Sequence, residues 1–183
     1  MKISGIIFRA FQTKNPQILK KAYVTYVRPL LEFCTTVWNP QIKKNIKKVE
    51  RVQKTFTRRL FLRCYRTKLS YKQRCDALQI ESLELRRLKN DISMCFKIMN
   101  NIVDVDESNF FERNKDNRLR GHPLKLYSKP TKSNIKLRFF SYRIVNVWNS
   151  LPPEAVCLNL NNLKNYMNMN SEKLTKFTEV YDF

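Results

Sequence analysis

Few side chains in this 183-residue chain have the type and spacing for catalysis. Its single histidine, His122, sits in Arg120-Gly121-His122-Pro123 with no serine or cysteine nucleophile framed beside it, so it reads as a loop or phosphate-contacting residue rather than a base. The densest acids are Asp104, Asp106 and Glu107. Two-metal nucleases and polymerases need carboxylates held about 4 Å apart, and an irregular stretch cannot hold them so; an acidic patch is expected. Five cysteines (Cys34, Cys64, Cys75, Cys95 and Cys157) are an odd number with no C-x-x-C pair. Zinc ligands come in short-spaced pairs, so free thiols in a reducing compartment are expected, placing the chain inside the cell, in nucleus or cytoplasm. Gly5 and Gly121 are the only glycines and cannot supply the clustered glycines of phosphate loops or nucleophile elbows. No catalytic residue, metal or cofactor is expected, and no small-molecule substrate.

The remaining chemistry is charge. Against 15 Asp and Glu stand 36 Lys and Arg, a formal charge of +21. Residues 41–75 hold 13 bases and one acid, Glu50; residues 113–143 hold ten bases and one acid, Asp116; residues 76–112 between them are acidic by eight to four. In the first segment Ile42, Ile46, Val49, Val52, Phe56 and Leu60 recur at three- and four-residue steps, which predicts a helix with one apolar face. At about 100° per residue, Lys43, Lys44, Lys47, Lys48, Arg51, Lys54, Arg58 and Arg59 then fall on the other face. Solvated faces interleave signs, because like charges at i,i+4 repel by a few tenths of a kcal/mol. Here Lys43–Lys47, Lys44–Lys48, Lys47–Arg51 and Lys54–Arg58 are all like-charge pairs. A polyanion relieves that repulsion and adds affinity by releasing counterions. Nucleic-acid backbone, RNA or DNA, is therefore the expected partner, ahead of a bare solvated face. A membrane surface fits less well, since the apolar face reads as core, and no apolar run reaches the ~18 residues that span a bilayer; residues 3–8 are also too few for a signal-peptide core. Arg66, Arg120, Arg138 and Arg143 complete the candidate contact set. Near them, Tyr65 and Tyr71 are balanced between stacking on bases and packing, whereas Phe56, Phe139, Phe140 and Trp148 read as core.

These candidates must be held by helices. Asn15-Pro16 starts one that Pro29 should break near Arg28. Ile42 to Leu60 forms the second, Ser70 to about Leu78 a short third, and Ser82 caps a long fourth. Residues 113–136 read as loop, with Leu124, Leu126, Ile135 and Leu137 alternating as short strands of a small hairpin would. Further helices are expected over 137–149 and from Asn159 to about Met169. The fold class is mainly α, an irregular helical bundle with a small loop or hairpin region and C-terminal helices. Domain limits are expected at 1–103, 104–136 and 137–170, with a frayed tail over 171–183.

The sequence resembles a known family along nearly its whole length. Lys21-Ala22-Tyr23, Tyr26-Val27-Arg28-Pro29-Leu30-Leu31-Glu32-Phe33-Cys34 and Val37-Trp38-Asn39-Pro40 resemble the segment that follows the catalytic palm in jockey-like non-LTR (LINE-type) retrotransposon reverse transcriptases. Val49-Glu50-Arg51-Val52-Gln53-Lys54 is similar to that family's "ERVQ" helix. Ser70-Tyr71-Lys72-Gln73-Arg74 with Leu78, Leu83-Glu84-Leu85-Arg86-Arg87, Arg120-Gly121-His122 and Arg138-Phe139-Phe140-x-x-Arg143 through Trp148-Asn149-Ser150-Leu151-Pro152 continue the likeness. The resemblance implies a thumb and C-terminal extension gripping template–primer, with the basic helix on nucleic acid and Trp38, Phe139, Phe140 and Trp148 in packing. It does not extend to catalysis, because the aromatic-x-Asp-Asp turn of the palm is missing and no Asp-Asp occurs in the chain. The expected product is thus an inert backbone-binding fragment without strong sequence preference. The alternatives are a subregion of a working RNA-directed DNA polymerase whose palm is encoded upstream or separately, and a recruited protein-interaction module. Contact with about six phosphates would give a log–log salt slope near −5 on duplex DNA.

Overall fold

A computed structural model describes residues 2–114, 121–157 and 159–178, and it is mainly helical. The chain divides into two compact units: residues 2–35 and 40–86 with 178, and residues 36–39 with 87–177. The division at 86/87 falls inside a helix, not at the expected 103/104 or 136/137, because the long fourth helix serves both units.

In the first unit, α1 (Lys2–Ala10), α2 (Pro16–Tyr26), α3 (Arg28–Glu32) and α4 (Thr35–Trp38) lead to α5 (Lys43–Cys64) and α6 (Tyr71–Leu78). The Asn15 side chain accepts from Gln17 N at 2.9 Å, with Pro16 opening the helix. The helix stops at Val27, since Pro29 has no N–H to continue the ladder. Ser70 and Gln73 cap each other reciprocally at the start of α6. Ile7, Phe8, Leu19, Tyr23, Phe56, Leu60, Phe61 and Leu78 form one buried cluster. The sequence reading did not anticipate α1. Packing makes it: Phe8 lies 4.9 Å from Phe56, and Arg63 Nη1 donates to the Phe8 carbonyl at 2.7 Å.

Helix α7 (Leu83–Met99) is capped by Ser82, whose Oγ accepts from Leu85 N at 3.2 Å. The second unit continues with α8 (Phe140–Arg143), α9 (Val145–Asn149), α10 (Pro153–Val156), α11 (Leu160–Met169) and α12 (Ser171–Leu174). The single helix expected over 137–149 is divided: Lys136–Arg138 is a 3-10 turn, Phe139 is extended, and α8 and α9 meet at Ile144. Among the described residues the expected hairpin reduces to one antiparallel bridge between Arg113 and Leu126. Asn149 holds that bridge, accepting from Leu126 N at 2.9 Å and donating to Leu126 O at 2.8 Å. Ile135 and Leu137, at 68% and 50% exposure, take no part as strand residues. The tail expected to fray is helical through Leu174, which is buried; residues 179–183 of that expectation lie outside the described residues.

Trp148 is fully buried, its Nε1 donating to Leu124 O at 2.8 Å. Phe140 packs edge-on against Phe111 at 5.6 Å. Phe139 is 56% and Trp38 41% exposed, contrary to the core role expected of them: the extended Phe139 lies outside the helical turn that turns Phe140 inward. No helix among the described residues is long and apolar enough to cross a membrane.

Candidate nucleic-acid interface

Helix α5, 22 residues and about 33 Å long, supplies the basic residues. Its inward stripe is Ile46, Glu50, Gln53, Thr57 and Leu60, at i, i+4, i+7, i+11 and i+14, joined by Phe56 and Phe61. Val49 and Val52 are only half-buried and Ile42 is 44% exposed. Two polar residues therefore occupy positions where an apolar face was expected, and a hydrogen-bonded network satisfies them. Gln53 Nε2 donates to the Tyr71 hydroxyl at 2.8 Å and to the Glu81 carbonyl at 2.9 Å, while its Oε1 accepts from the Tyr23 hydroxyl at 3.0 Å. The Tyr71 hydroxyl donates in turn to Glu50 Oε1, which also accepts from Leu83 N at 3.1 Å, at the head of α7. Burial, and then the Glu50 charge, push both phenols above their ordinary range, so they stay protonated donors. Burial likewise pushes the neighbouring Cys75 thiol up to about 11.

Lys43, Lys44, Lys47, Lys48, Arg51, Lys54, Arg58 and Arg59 are exposed along α5, but they do not form one uniform face. Lys47, Arg51, Lys54 and Arg58 line a groove beside the start of α6, about 910 Å³ in volume, with Tyr71 and Arg74 on its other side. Lys44 continues that stripe three residues before Lys47 without lining the groove, whereas Lys48 and Arg59 lie round the helix, about 100–120° from Lys47. Arg59 stacks its guanidinium 4.6 Å from the Phe8 ring, so it fastens α1 rather than standing clear in solvent.

Arg74 is only 5% exposed. Its Nε donates to Thr57 Oγ1 at 3.2 Å, its Nη2 to the Lys54 carbonyl at 3.4 Å and its Nη1 to the Leu69 carbonyl. None of these acceptors is a carboxylate. Burial is the leading influence on this guanidinium and lowers its affinity for the proton, with Arg58 acting in the same sense; an arginine keeps its charge regardless. The groove thus has a cation in its wall as well as four along its rim.

The other candidates are dispersed. Arg66 is exposed just beyond α5, in a left-handed backbone conformation at φ 54°. Arg138 is exposed in the second unit. Arg120 lies outside the described residues. Arg143 is corrected: its Nε and Nη2 each donate to Asp91 at 2.9 Å, Nη2 reaches the Thr36 carbonyl at 2.7 Å, and Nη1 the Arg138 carbonyl at 3.0 Å. The ion-pair partners are 8% and 2% exposed at their side chains, leaving Arg143 no open edge for a phosphate. His122 is corrected too: 2% exposed, it bonds through Nε2 to the Trp148 carbonyl at 3.0 Å. Tyr71 is buried with Lys54 6.0 Å and Arg74 5.8 Å from its ring, so it offers no face for stacking a base. Tyr65 is 51% exposed beside Phe61, 5.2 Å away.

Asp106 and Glu107 serve local structure. Asp106 accepts from the backbone and hydroxyl of Ser108, which lowers its pKa, and Glu107 holds Arg113 through two contacts of 2.7 Å. Among the described residues no cluster of histidine, cysteine and acidic side chains could hold a metal ion.

No family model matches the chain, and no solved structure matches it. An uncharacterized protein of Caenorhabditis elegans, B0403.1, is 33% identical over 82 residues, 45% of this chain. The match covers 41% of that protein, so the chain spans about two fifths of the length of this curated relative.

Proposed function

We propose that this chain is a thumb and C-terminal piece of a non-LTR retrotransposon reverse transcriptase, inert as a polymerase by itself, that binds nucleic-acid backbone without strong sequence choice. The observation that carries the reading is the exposed row of like charges along α5, whose one acid, Glu50, is buried and turned inward to the Tyr71 hydroxyl and Leu83 N. Such a row is unfavourable alone and favourable against phosphate. The resemblance described above supplies the family, and the missing Asp-Asp pair supplies the inertness. The test is fluorescence anisotropy with labelled oligonucleotides across a salt series. Binding should weaken steeply with salt and vary little with base sequence. Changing Lys47, Lys48 and Arg51 together to Glu should abolish it while far-UV circular dichroism is unchanged. Affinity that is flat with salt, or that survives the triple change, overturns the assignment.

A second reading, that the chain works as one part of a larger polymerase, is favoured by a separate observation. Tyr26 at the end of α2, Leu30 in α3 and Phe33 just after it are 57%, 62% and 75% exposed, and a run of exposed large apolar residues marks a surface that another protein covers. An in-frame aromatic-x-Asp-Asp turn upstream in the genome would support it; stop codons there would refute it.

A further inference from the structure

We propose that the groove between α5 and α6 seats the sugar–phosphate backbone of one unpaired strand, with Arg74 as its buried anchor. The inference rests on the backbone-binding reading above and narrows it to a place and a form of nucleic acid. Lys47, Arg51, Lys54 and Arg58 recur at i, i+4, i+7 and i+11, so their stems span about 16 Å along the helix. All four line the same concavity. At its end a second depression of about 470 Å³ shares Arg58, Leu69 and Arg74 and adds Lys68, which lengthens the path without turning it. At about 3.4 Å per stacked nucleotide, this length accommodates roughly five phosphates.

Shape decides between one strand and two. The major groove of a duplex is about 12 Å wide and admits a single helix. Here α6 runs beside the basic flank of α5. Two packed helices, each 10–12 Å across with axes 8–10 Å apart, make a body of roughly 20 Å that cannot enter side by side, so a duplex would meet this flank along the outside of its backbone. The concave side, by contrast, is open to a single backbone.

Chemistry decides between phosphate and base. The Tyr71 ring on the groove wall is already covered by Lys54 and Arg74, so the wall, which also holds Glu50 and Leu69, offers cations but no bare aromatic face. Arg74 matters because its charge is buried against carbonyl and hydroxyl oxygens alone. Glu50 lines the same groove but bonds the Tyr71 hydroxyl and Leu83 N, so a phosphate at the groove mouth would add a charged acceptor that Arg74's three hydrogen bonds do not include, and it would be attracted more strongly there than at a fully hydrated lysine.

The test uses the full chain, a labelled single-stranded oligothymidylate and a duplex of equal length. Four phosphate contacts on a single strand give a log–log salt slope of about −3. Lys54→Gln with Arg58→Gln, whose side chains are exposed, should reduce that slope by about 1.4, equivalent to about tenfold weaker binding at 0.15 M salt relative to a 1 M reference. Lys48→Gln with Lys21→Gln, a flank pair whose exposed side chains do not line the groove, should change single-strand affinity less than twofold. Lys47→Gln with Arg51→Gln is a second groove pair and should repeat the first result. Equal effects of groove and flank pairs, or tighter binding of duplex than of single strand, overturn the groove assignment while leaving backbone binding intact. Absence of salt-dependent binding to either probe by the unaltered chain overturns both.

Discussion

Replacement of Gln53 is the sharpest test of how the first unit is built. This residue is fully buried in the middle of the basic helix, and its amide bonds the Tyr71 hydroxyl, the Glu81 carbonyl and the Tyr23 hydroxyl at 2.8, 2.9 and 3.0 Å. Gln53→Ala removes all three bonds and opens a cavity. At about 1 kcal/mol for each net hydrogen bond, and with a cavity term added, the loss is about 3–5 kcal/mol. That is a large part of the 5–15 kcal/mol typical of a domain. Gln53→Met restores the volume without donors, so it should recover only the cavity part. Gln53→Glu places a second carboxyl near Glu50 in a dry site. Its folded-state pKa is raised, so the variant should be least stable at neutral pH and regain stability as pH falls toward the ordinary glutamate value near 4.3. The assay is urea unfolding followed by far-UV circular dichroism. Tryptophan fluorescence provides an internal control, because Trp38 and Trp148 both belong to the second unit and should report an unshifted transition there. If Gln53→Ala costs under 1 kcal/mol, or Gln53→Met matches the parent, the network contributes no stability and the reasoning fails.

Three further outcomes follow from the same geometry. Arg143→Gln strands the buried Asp91 carboxylate and should cost about 3–5 kcal/mol, read by Trp148 fluorescence in urea; weaker oligonucleotide binding with unchanged stability would return Arg143 to the binding surface. Gln79 closes α6 in the left-handed region at φ 50° and is exposed, so Gln79→Gly should raise the stability of the first unit by about 0.5–1 kcal/mol, and any destabilisation in a thermal melt contradicts this. Burial holds the His122 pKa below its ordinary 6.5, with Lys125 acting in the same sense and the Trp148 bond opposing. Above pH 6.5 both states are neutral there; below it the unfolded chain takes up the proton first, so the second unit should lose stability as pH falls from 7 to 5, by at most about 1.4 kcal/mol per pH unit. His122→Gln should flatten that profile, and an equally sloped profile in the variant refutes the assignment.

Much of the helical order was legible because it depends on local chemistry. Asn15, Ser70, Ser82 and Asn159 each accept from the backbone of the helix they precede, and each is a residue type selected for that task. What was not legible depends on partners distant in sequence. Helix α1 carries Ser4 and Gly5, poor helix formers, and exists because Ile7 and Phe8 reach the core. Four chain reversals use Cys34, Arg66, Gln79 and Asn101 at positive φ instead of glycine, so the usual end-of-helix punctuation is missing from the sequence. Glu50 and Gln53 did leave a trace: they stand in the same i, i+4, i+7 register as Ile46, Thr57 and Leu60. The expected face of Ile42, Ile46, Val49, Val52, Phe56 and Leu60 left them out because it took the buried stripe to be apolar.

The same point bears on the charge. A formal +21 treats every base as available to a polyanion, yet Arg87 and Lys89 are buried and Arg143 is locked to Asp91. Those cations organise the interior: Lys89 ties Asn168 and Ser171, at 3.0 and 2.9 Å, to α7, and Arg143 gathers Asp91 with two carbonyl groups. Cost separates the two populations. A cation in the interior must be matched by oriented acceptors, or its lost hydration is uncompensated, and at Arg143 and Lys89, which do not line the α5 groove, those acceptors leave no freedom to meet a phosphate. A cation on a helix flank keeps its hydration, suffers only weak repulsion from its neighbours, and can release counterions when a backbone arrives. Nucleic-acid affinity in this chain should therefore follow the exposed rim of α5 and its groove rather than the net charge, and an equal loss of charge elsewhere on the chain should matter less.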